Sequence, residues 1–458
     1  MSRVNPTIFR EYDIRGLAER DFDADFAFAL GRAYGSLVVS RGKRRVAVGR
    51  DCRLSSDGYA AALREGLCAT GLEVLDLGVC PTPLLYFSLH HYDLDGGIQV
   101  TGSHNPADHN GFKICLDKVT LYGRDIQRLR TLIERRDFAS GQGRQVPTPI
   151  IGPYQEFVSR QFGRLERELA VVVDAGNATA GPVAPSIFRA LGCRVTELFC
   201  ELDGHFPNHH PDPTVPENLE QLIRTVTHTG AEVGLAYDGD ADRLGVVGPS
   251  GRIVWGDELM ILFARDILAS HPGAVIVSEV KCSQTLFDEV AAWGGRPVMW
   301  KAGHALLKAK MRETGALLGG EMSGHLFFAD RYFGYDDAIY ASCRLLELLS
   351  RAELSQLLAD LPSSVTTPEI RLPCPDELKF VLAERVCQRL RGSHDITDID
   401  GVRVRFAHGW GLVRASNTQP VLVLRFEATT QAKLDEYRTF VEGLVEEARR
   451  ELRESDAS

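Results

Sequence analysis

The sequence lacks the features that mark disulfide-rich, zinc-ribbon and membrane-spanning proteins. None of its ten cysteines stands at C-x-x-C spacing, and in a chain of 458 residues we expect buried, reduced thiols. No apolar run approaches the roughly 20 residues that span a bilayer. The first residues, MSRVNPTIFREYDIRG, contain no apolar segment of signal-peptide length. We therefore expect a cytoplasmic protein without a membrane partner.

Positive charge is also in short supply. The 52 Lys and Arg residues are outnumbered by 62 Asp and Glu residues, which gives a net charge of −10. Such a balance argues against broad binding to nucleic acid, whose phosphates need a basic surface. A few local arginines are still enough to hold a small phosphate ligand. The expected assembly is a monomer or a weak homodimer.

Short apolar strands alternate with amphipathic helices through most of the chain. Strand Arg45–Arg50, for example, precedes a helix over about Ser55–Thr70, and helix Gln284–Ala292 follows another apolar strand. This alternation predicts α/β layers with largely parallel or mixed sheets. It runs in three rounds of similar length, which suggests a diverged internal repeat.

The pattern changes after Pro362. Residues 363–369, SSVTTPE, read as a linker. A helix at Asp376–Leu390, several strands and a final helix at Gln431–Arg453 predict a smaller α+β domain with an antiparallel sheet. The predicted domains are residues 1–149, 150–252, 253–364 and 365–458.

The motif T-G-S-H-N-P follows an apolar strand, so Ser103 is expected on a loop at a strand end. Ligands collect at such strand ends in α/β sheets. Ser103, with His104 beside it, is therefore a candidate nucleophile. The alternative is a plain turn, in which Asn105 and Pro106 set the bend.

The motif D-G-D-A-D-R directly follows the apolar strand EVGLAY. Alternate residues of an extended chain point the same way, so Asp238, Asp240 and Asp242 can face one point. Three like charges repel unless a cation lies among them, and oxygen ligands favour Mg²⁺. A calcium loop would need a glutamate at its twelfth position, where this chain has Pro249. A solvated acidic turn is the remaining alternative.

Two further motifs combine short polar side chains. G-E-M-S-G-H, Gly320–His325, offers a carboxylate, a hydroxyl and an imidazole for sugar hydroxyls, although a tight turn would use the same residues. R-A-S-N-T-Q-P, Arg414–Pro420, offers an Arg fork and short donors for a phosphate, although a polar β-turn is also possible. Taken with the first two motifs, these provide the groups needed for phosphoryl transfer to a sugar phosphate.

From F-R-E-Y-D-I-R-G, Phe9–Gly16, to the region of Arg414, the chain resembles the α-D-phosphohexomutase family, in particular its bacterial phosphomannomutase/phosphoglucomutase branch. The resemblance implies three related α/β domains with mixed sheets and a smaller C-terminal α+β domain, arranged around a central cleft. It implies reversible transfer of phosphate between C1 and C6 of mannose or glucose phosphates. The transfer would pass through a phosphoserine and a bound 1,6-bisphosphate, which also serves as activator.

The resemblance also implies roles for individual residues. Ser103 would carry the phosphoryl group and complete the shell of one Mg²⁺ held by Asp238, Asp240 and Asp242. The other residues implied at the reacting phosphate are Arg15, His104, Lys113 and Arg243, with Lys113 and His104 as alternative general bases. The residues implied in substrate binding are Tyr12, Lys281, Gly303, His304, Glu321, Ser323, His325, Arg414, Ser416, Asn417 and Thr418.

Two other activities are compatible with the same residues. In the aminosugar branch, phosphoglucosamine mutases tend to have glutamine after the motif glutamate, where this chain has Met322. A sugar-phosphate phosphohydrolase would instead lose phosphate from the serine to water. A non-catalytic sensor would need a broken nucleophile or metal loop, and both are intact. The histidine-rich stretch 205–213, HFPNHHPDP, resembles a metal cluster, but we expect it to have a packing role.

Overall fold

The computed structural model describes residues 5–416 and 419–456. The chain divides into two compact units, Met1–Phe263 with Leu317–Leu358, and Ala264–Ala316 with Ala359–Ser458. All ten cysteines are free thiols, and only Cys52 and Cys68 are not fully buried. Every helix within the described residues is too short or too polar to cross a membrane.

The first α/β segment contains a seven-stranded mixed sheet. Its strand order is β1-β5-β4-β2-β3-β7, with β6 paired to β5. Pairing is parallel among β2, β3, β4 and β7, and antiparallel where β5 meets β1 and β4. The strands and helices are β1 (Ile14–Leu17), α1 (Ala24–Ser40), β2 (Arg45–Arg50), α2 (Ser56–Cys68), β3 (Glu73–Val79), α3 (Thr82–His91), β4 (Gly96–Val100), β5 (His109–Leu116), β6 (Val119–Thr120), α4 (Arg124–Arg135) and β7 (Arg144–Pro147).

The alternation of side chains along β5 separates the core of this segment from the site. Phe112 packs into the core against Phe22, Phe26 and Tyr59. Because successive side chains of a strand point to opposite faces, Lys113 lies on the other face of the sheet. It is nevertheless buried, with 3% of its surface exposed.

The second segment repeats this pattern in a five-stranded sheet of order β12-β11-β10-β8-β9. Strands β8, β9 and β10 are parallel, while β11 and β12 are antiparallel additions. The shared pattern supports the predicted internal repeat. The strands and helices are α5 (Ile151–Phe162), β8 (Ala170–Asp174), α6 (Ala184–Ala190), β9 (Arg194–Leu198), α7 (Glu220–Thr229), β10 (Val233–Tyr237), β11 (Leu244–Val247) and β12 (Ile253–Val254).

The third segment again combines parallel and antiparallel pairs. Strands β13 and β14 are parallel, and β15 and β16 form an antiparallel pair. The strands and helices are α8 (Gly256–Ser270), β13 (Val275–Glu279), α9 (Gln284–Ala292), β14 (Arg296–Trp300), α10 (His304–Thr314), β15 (Leu318–Gly320), β16 (Leu326–Phe328), α11 (Ala338–Leu349) and α12 (Leu354–Leu357).

The last segment is an antiparallel sheet with two helices, as predicted. Its order is β17-β22-β21-β20-β19, with β18 also on β22. The prediction that residues 363–369 form only a linker is wrong, because β17 lies within them and pairs with the end of β22. The strands and helices are β17 (Val365–Thr366), β18 (Ile370–Pro373), α13 (Asp376–Leu390), β19 (Asp395–Thr397), β20 (Val402–Phe406), β21 (Gly409–Ala415), β22 (Val421–Ala428) and α14 (Gln431–Asp456).

Candidate functional site

Ser103 lies on the loop that follows β4, as the sequence predicts. Its backbone is left-handed, with φ of 50°, and its N–H donates to Thr101 Oγ1 at 2.8 Å. A left-handed conformation is uncommon for a residue with a side chain and has to be held by its surroundings. The serine is 1% exposed, and its Oγ donates to Asp238 Oδ2 at 2.9 Å.

The carboxylate loop follows β10, whose five residues are all buried. Asp238 Oδ1 accepts the backbone N–H groups of Asp242 at 3.1 Å and Arg243 at 3.2 Å, which closes the loop into a tight turn. A Cβ at Gly239 would lie 2.4 Å from the Ser103 carbonyl oxygen. Glycine at this position therefore allows the carboxylate loop to approach the backbone of the serine.

Asp240 and Asp242 share one ammonium group. Lys113 Nζ donates to Asp240 Oδ2 at 2.6 Å and also to Asp242 Oδ2. The hydroxyl of Thr82, at the start of α3, donates to Asp240 Oδ2 as well. The other oxygen of each carboxylate, Oδ1, accepts no hydrogen bond from the described residues.

This cluster fits a hard divalent cation. Asp238, Asp240 and Asp242 are fully buried, and each offers an oxygen within 4.8 Å of the others. Burial and the two neighbouring carboxylates hold the pKa of Asp238 well above its usual range. The one lysine of this cluster contacts Asp240 and Asp242, and the Oδ1 oxygens of these two carboxylates accept no hydrogen bond from the described residues. A cation with oxygen ligands would satisfy both the charge and these oxygens.

Arg15 joins the N-terminal motif to the serine loop. It lies on β1, and its guanidinium donates to Asn105 Oδ1 at 3.1 Å and Asp13 Oδ2 at 2.6 Å. Burial lowers the pKa of Arg15, but Asp13, Tyr12 and Asp240 together raise it more, so the group stays charged. Tyr12 lies two residues before β1 and is half-buried.

His104 contacts the histidine-rich loop rather than the carboxylate loop. Its Nδ1 lies 3.2 Å from Asp212 Oδ2, and its carbonyl oxygen accepts from His210 Nε2 at 2.5 Å. Burial and the charge of Arg243 lower the pKa of His104 to about 3. The imidazole is therefore neutral at neutral pH. Stretch 205–213 therefore supports the serine loop through Asp212 and His210.

Arg243 connects the carboxylate loop to the G-E-M-S-G-H motif. Its Nε donates to His325 Nε2 at 3.0 Å, and His325 Nδ1 lies 3.1 Å from Asp336 Oδ2 and 3.5 Å from Asp242 Oδ1. Burial lowers the pKa of Arg243, but the charges of Asp212, Asp238, Asp242 and Glu321 together raise it more. A permanent positive charge therefore lies beside the carboxylate cluster.

Glu321 and Ser323 lie in the turn between β15 and β16. Ser323 Oγ donates to Glu321 Oε2 at 3.1 Å, and Glu321 N donates to His325 O at 2.9 Å. The turn is fixed beside the carboxylate loop, because Leu244 N donates to Gly324 O at 3.0 Å. The structure thus brings this polar turn next to the segment that begins at Arg243.

The other predicted residues lie on the second unit. Lys281 Nζ is 2.6 Å from Glu369 Oε1, and this lysine lowers the pKa of Glu369 to about 2. Arg414 Nε donates to Asp400 Oδ2 at 2.9 Å. Ser416 Oγ accepts Gln419 N at 3.1 Å.

Asp400 also links two of the predicted substrate segments of this unit. The same oxygen, Oδ2, accepts Ala302 N at 3.0 Å, which ties the loop before α10 to Arg414. Gly303 precedes α10, and the buried His304 is its first residue. Asn417 and Thr418 lie outside the described residues.

Sequence reasoning missed several residues that position the site. Thr82 and Asp336 were overlooked because no local pattern marks either residue. Asp212 was not singled out because the whole stretch 205–213 was assigned a packing role. Arg53 was overlooked too, although it had a signal. Asp51 and Arg53 directly follow the buried strand β2. Charged residues are seldom fully buried unless they are paired, so an Asp and an Arg this close to a buried strand are a signal of a specific contact.

These observations define a multidomain α/β protein in which a buried serine contacts a carboxylate cluster of the kind that binds divalent cations. Models of four successive domains match the chain: phosphoglucomutase/phosphomannomutase alpha/beta/alpha domains I, II and III at residues 6–140, 153–251 and 255–365, and the C-terminal domain at residues 369–444. The chain belongs to the phosphoglucomutase/phosphomannomutase family.

Individual relatives cover nearly the whole chain. A Pseudomonas aeruginosa phosphomannomutase/phosphoglucomutase is 48% identical over 436 residues, 94% of each chain. A Neisseria gonorrhoeae phosphoglucomutase is 43% identical over 452 residues, 97% of this chain and 98% of the relative. A crystal structure of a Burkholderia thailandensis phosphoglucomutase/phosphomannomutase family protein is 46% identical, covers 98% of both chains and has a TM-score of 0.91.

Proposed function

We propose that this protein is a phosphohexomutase that moves phosphate between C1 and C6 of hexose phosphates through phosphorylated Ser103. The observation that carries the proposal is the buried Ser103 hydroxyl, 2.9 Å from a carboxylate of a three-aspartate cluster. A hydroxyl so placed can carry a phosphoryl group whose charge the cluster's cation and nearby arginines offset.

In the forward step, the oxygen of the substrate's free hydroxyl forms a new bond to phosphorus while the bond from phosphorus to Ser103 Oγ breaks. The hydroxyl proton passes to a base, and a hexose 1,6-bisphosphate results. After the bisphosphate reorients, Ser103 Oγ forms a bond to the phosphorus of the other phosphate while the bond from that phosphorus to the sugar oxygen breaks. The sugar oxygen takes up a proton and becomes the free hydroxyl of the product. The net result is the movement of phosphate from one carbon to the other, and added bisphosphate acts as activator by phosphorylating a free serine.

Charge compensation would come from both protein and metal. One Mg²⁺, held by Asp238, Asp240, Asp242 and an oxygen on Ser103, would supply Lewis-acid stabilisation of the phosphoryl group. Arg15 and Arg243 would bind the phosphoryl oxygens with fixed positive charges. Arg15 contacts the serine loop through Asn105, and Arg243 is held by His325.

The two candidates for the general base differ in protonation. Lys113 donates to two carboxylates. Burial lowers the pKa of Lys113, but the charges of Asp240, Asp242, Asp238 and Asp336 together raise it more, so the group remains an ammonium. We assign it to charge balance within the cluster. His104 is neutral and can accept a proton, so of these two residues it is the candidate base.

Substrate binding is assigned to polar residues on several loops. Glu321 and Ser323 present a carboxylate and a hydroxyl for sugar hydroxyls, with His325 beside them. Arg414 presents the planar guanidinium that suits a phosphate. The residues proposed to complete substrate binding are Tyr12, Lys281, Gly303, His304, Ser416, Asn417 and Thr418.

The sugar preference is proposed from the relatives and one residue. The relatives at 43–48% identity are named for glucose and mannose phosphates. Met322, after the motif glutamate, also differs from the glutamine typical of the glucosamine branch. We propose glucose and mannose phosphates as the substrates. We also propose that the enzyme is cytoplasmic, because such charged sugars do not cross membranes unaided. The proposed domain boundaries are those predicted, at residues 149, 252 and 364.

A coupled assay tests the proposal directly. Glucose 1-phosphate, mannose 1-phosphate and glucosamine 1-phosphate are supplied separately with Mg²⁺ and a trace of the matching bisphosphate, and the 6-phosphate product is measured. Intact-mass analysis of the primed enzyme should show one added phosphoryl group on Ser103. Release of inorganic phosphate in place of the 6-phosphate would assign a hydrolase instead.

A further inference from the structure

The guanidinium of Arg53 lies behind the serine loop and is closed off from solvent, with 0% of its side chain exposed. It donates to four backbone carbonyl oxygens of this loop. The guanidinium nitrogens lie 2.8 Å from the carbonyl oxygen of Ser103 and 2.9 Å from that of His109, and they also donate to the carbonyl oxygens of Asn105 and Pro106. One side chain thus supports the backbone of the nucleophile and of the turn that follows it.

Asp51 extends the same support to the other side of the nucleophile. Its carboxylate accepts Arg53 Nε at 3.1 Å and the backbone N–H of Gly102 at 3.0 Å. The pair also balances the buried charge of the guanidinium. Backbone groups on both sides of Ser103 are therefore bonded to this one ion pair.

The surroundings of Arg53 leave room for a guanidinium only because residue 102 is a glycine. A Cβ at Gly102 would lie 2.5 Å from the guanidinium carbon. The ring centroid of Phe206 lies 5.2 Å from this carbon. These contacts explain the glycine of the T-G-S-H-N-P motif by close packing against Arg53.

We propose that Arg53 is a positioning residue for phosphoryl transfer, a role that rests on the proposed function. Arginine has five donors in a fixed plane, whereas lysine has three donors on a flexible stem, so lysine cannot hold four carbonyls in one arrangement. By fixing these carbonyls, Arg53 holds Ser103 in its left-handed conformation and directs Oγ at Asp238. Arg53 contributes nothing to substrate binding, since its donors face the backbone.

The experiment compares Arg53→Lys and Arg53→Met with a matched control, Arg344→Lys. Arg344 is an equally buried arginine, 2% exposed in its side chain, that bonds Asp330. For each variant we measure the temperature of unfolding, and kcat and KM with glucose 1-phosphate. Intact-mass analysis over time gives the rate at which glucose 1,6-bisphosphate phosphorylates Ser103. We expect kcat and the phosphorylation rate to fall about 100-fold in both Arg53 variants, because small misplacements of a reacting group cost about that factor. KM should stay unchanged.

The Arg344→Lys control separates an effect on the position of Ser103 from a general loss of protein stability. Arg344→Lys should unfold at a lower temperature while it keeps wild-type kcat and phosphorylation rate. The proposal is overturned if Arg53→Lys retains the wild-type rates, if Arg344→Lys loses rate equally, or if the Arg53 variants do not fold while Arg344→Lys does. Failure of the proposed function is distinguishable, because wild-type protein would then take up no phosphate on Ser103.

Discussion

Ser103 Oγ donates to Asp238 Oδ2 at 2.9 Å although 135 positions of sequence separate the two residues. Each lies on a loop just beyond a buried strand, Ser103 after β4 and Asp238 after β10. The two loops come from different sheets, and Gly239 allows their backbones to approach closely. The proposed chemistry depends on this meeting of a hydroxyl with a carboxylate cluster.

Replacement of Ser103 by alanine should abolish turnover and leave sugar-phosphate binding intact. The variant lacks the oxygen that carries the phosphoryl group, whereas the proposed sugar and distal phosphate contacts lie on other loops. Turnover is followed by the coupled assay, and binding of glucose 1-phosphate by titration calorimetry. Ser88→Ala is the control, because Ser88 is equally buried and its hydroxyl donates to Leu85 O within α3. Wild-type turnover in Ser103→Ala would refute the phosphoserine mechanism.

Asp240→Asn should cost far more activity than stability. The substitution weakens the bond to Lys113, which keeps its bond to Asp242, and relief of the repulsion from Asp238 and Asp242 offsets part of this loss, so the free energy of unfolding should fall by about 1–2 kcal/mol. Activity in saturating Mg²⁺ should fall about 100-fold or more, as when other electrostatic groups are removed from active sites.

Asp330→Asn provides the opposite control for this prediction. Asp330 is 5% exposed and pairs with the buried Arg344, so its loss should reduce stability while kcat stays unchanged. Thermal unfolding and kcat are measured on both variants. Full activity of Asp240→Asn in Mg²⁺ would remove Asp240 from the proposed metal site.

His209→Gln should remove a pH-dependent part of the stability. Both ring nitrogens of His209 face acceptors, with Nε2 at 3.0 Å from Asp174 Oδ1 and Nδ1 at 2.9 Å from His210 O. Burial lowers the pKa of His209, but Asp174 and the His210 carbonyl raise it more, so the pKa lies above its ordinary value of 6.5. The stabilisation is therefore fully present below pH 6.5 and is lost as the pH rises through the folded-state pKa.

Urea unfolding at a series of pH values measures this effect. At pH 5.5 the free energy of unfolding of the wild type should be larger than that of His209→Gln by on the order of 1–2 kcal/mol. This difference should shrink towards pH 9. His205→Gln serves as control, because this histidine belongs to the same loop but its side chain is 70% exposed. A difference that is constant across the series would exclude a charged His209.

Arg414→Lys should weaken substrate binding more than catalysis. Lysine keeps the charge but loses the planar pair of donors that suits phosphate, so KM for glucose 1-phosphate should rise about tenfold with a smaller change in kcat. Arg405→Lys, on the neighbouring strand β20, is the control because Arg405 is exposed. A fall in kcat with KM unchanged would contradict the assignment of Arg414 to the distal phosphate.

Sequence reasoning predicted most of the fold correctly, and its errors have local causes. Helices such as α9 and α13 match their predicted bounds, because apolar periodicity marks them and Ser283 or Pro375 marks their start. Strand β17 was missed because its two residues lie among Ser, Thr and Pro, and only pairing with β22 makes them a strand. In the site, the serine and the carboxylates were found because each motif is continuous in sequence.

What the sequence alone determined is the set of chemical groups and the loops that carry them: a serine after one strand, three alternating carboxylates after another and polar turns further on. The tertiary structure decided how these groups are partnered. Lys113 balances Asp240 and Asp242, Asp212 contacts His104, and Arg53 supports the backbone around Ser103. These contacts join residues from distant segments of the chain. The pKa values of these side chains, and therefore their charges, depend on burial and on neighbouring charges, which exist only once the segments pack together.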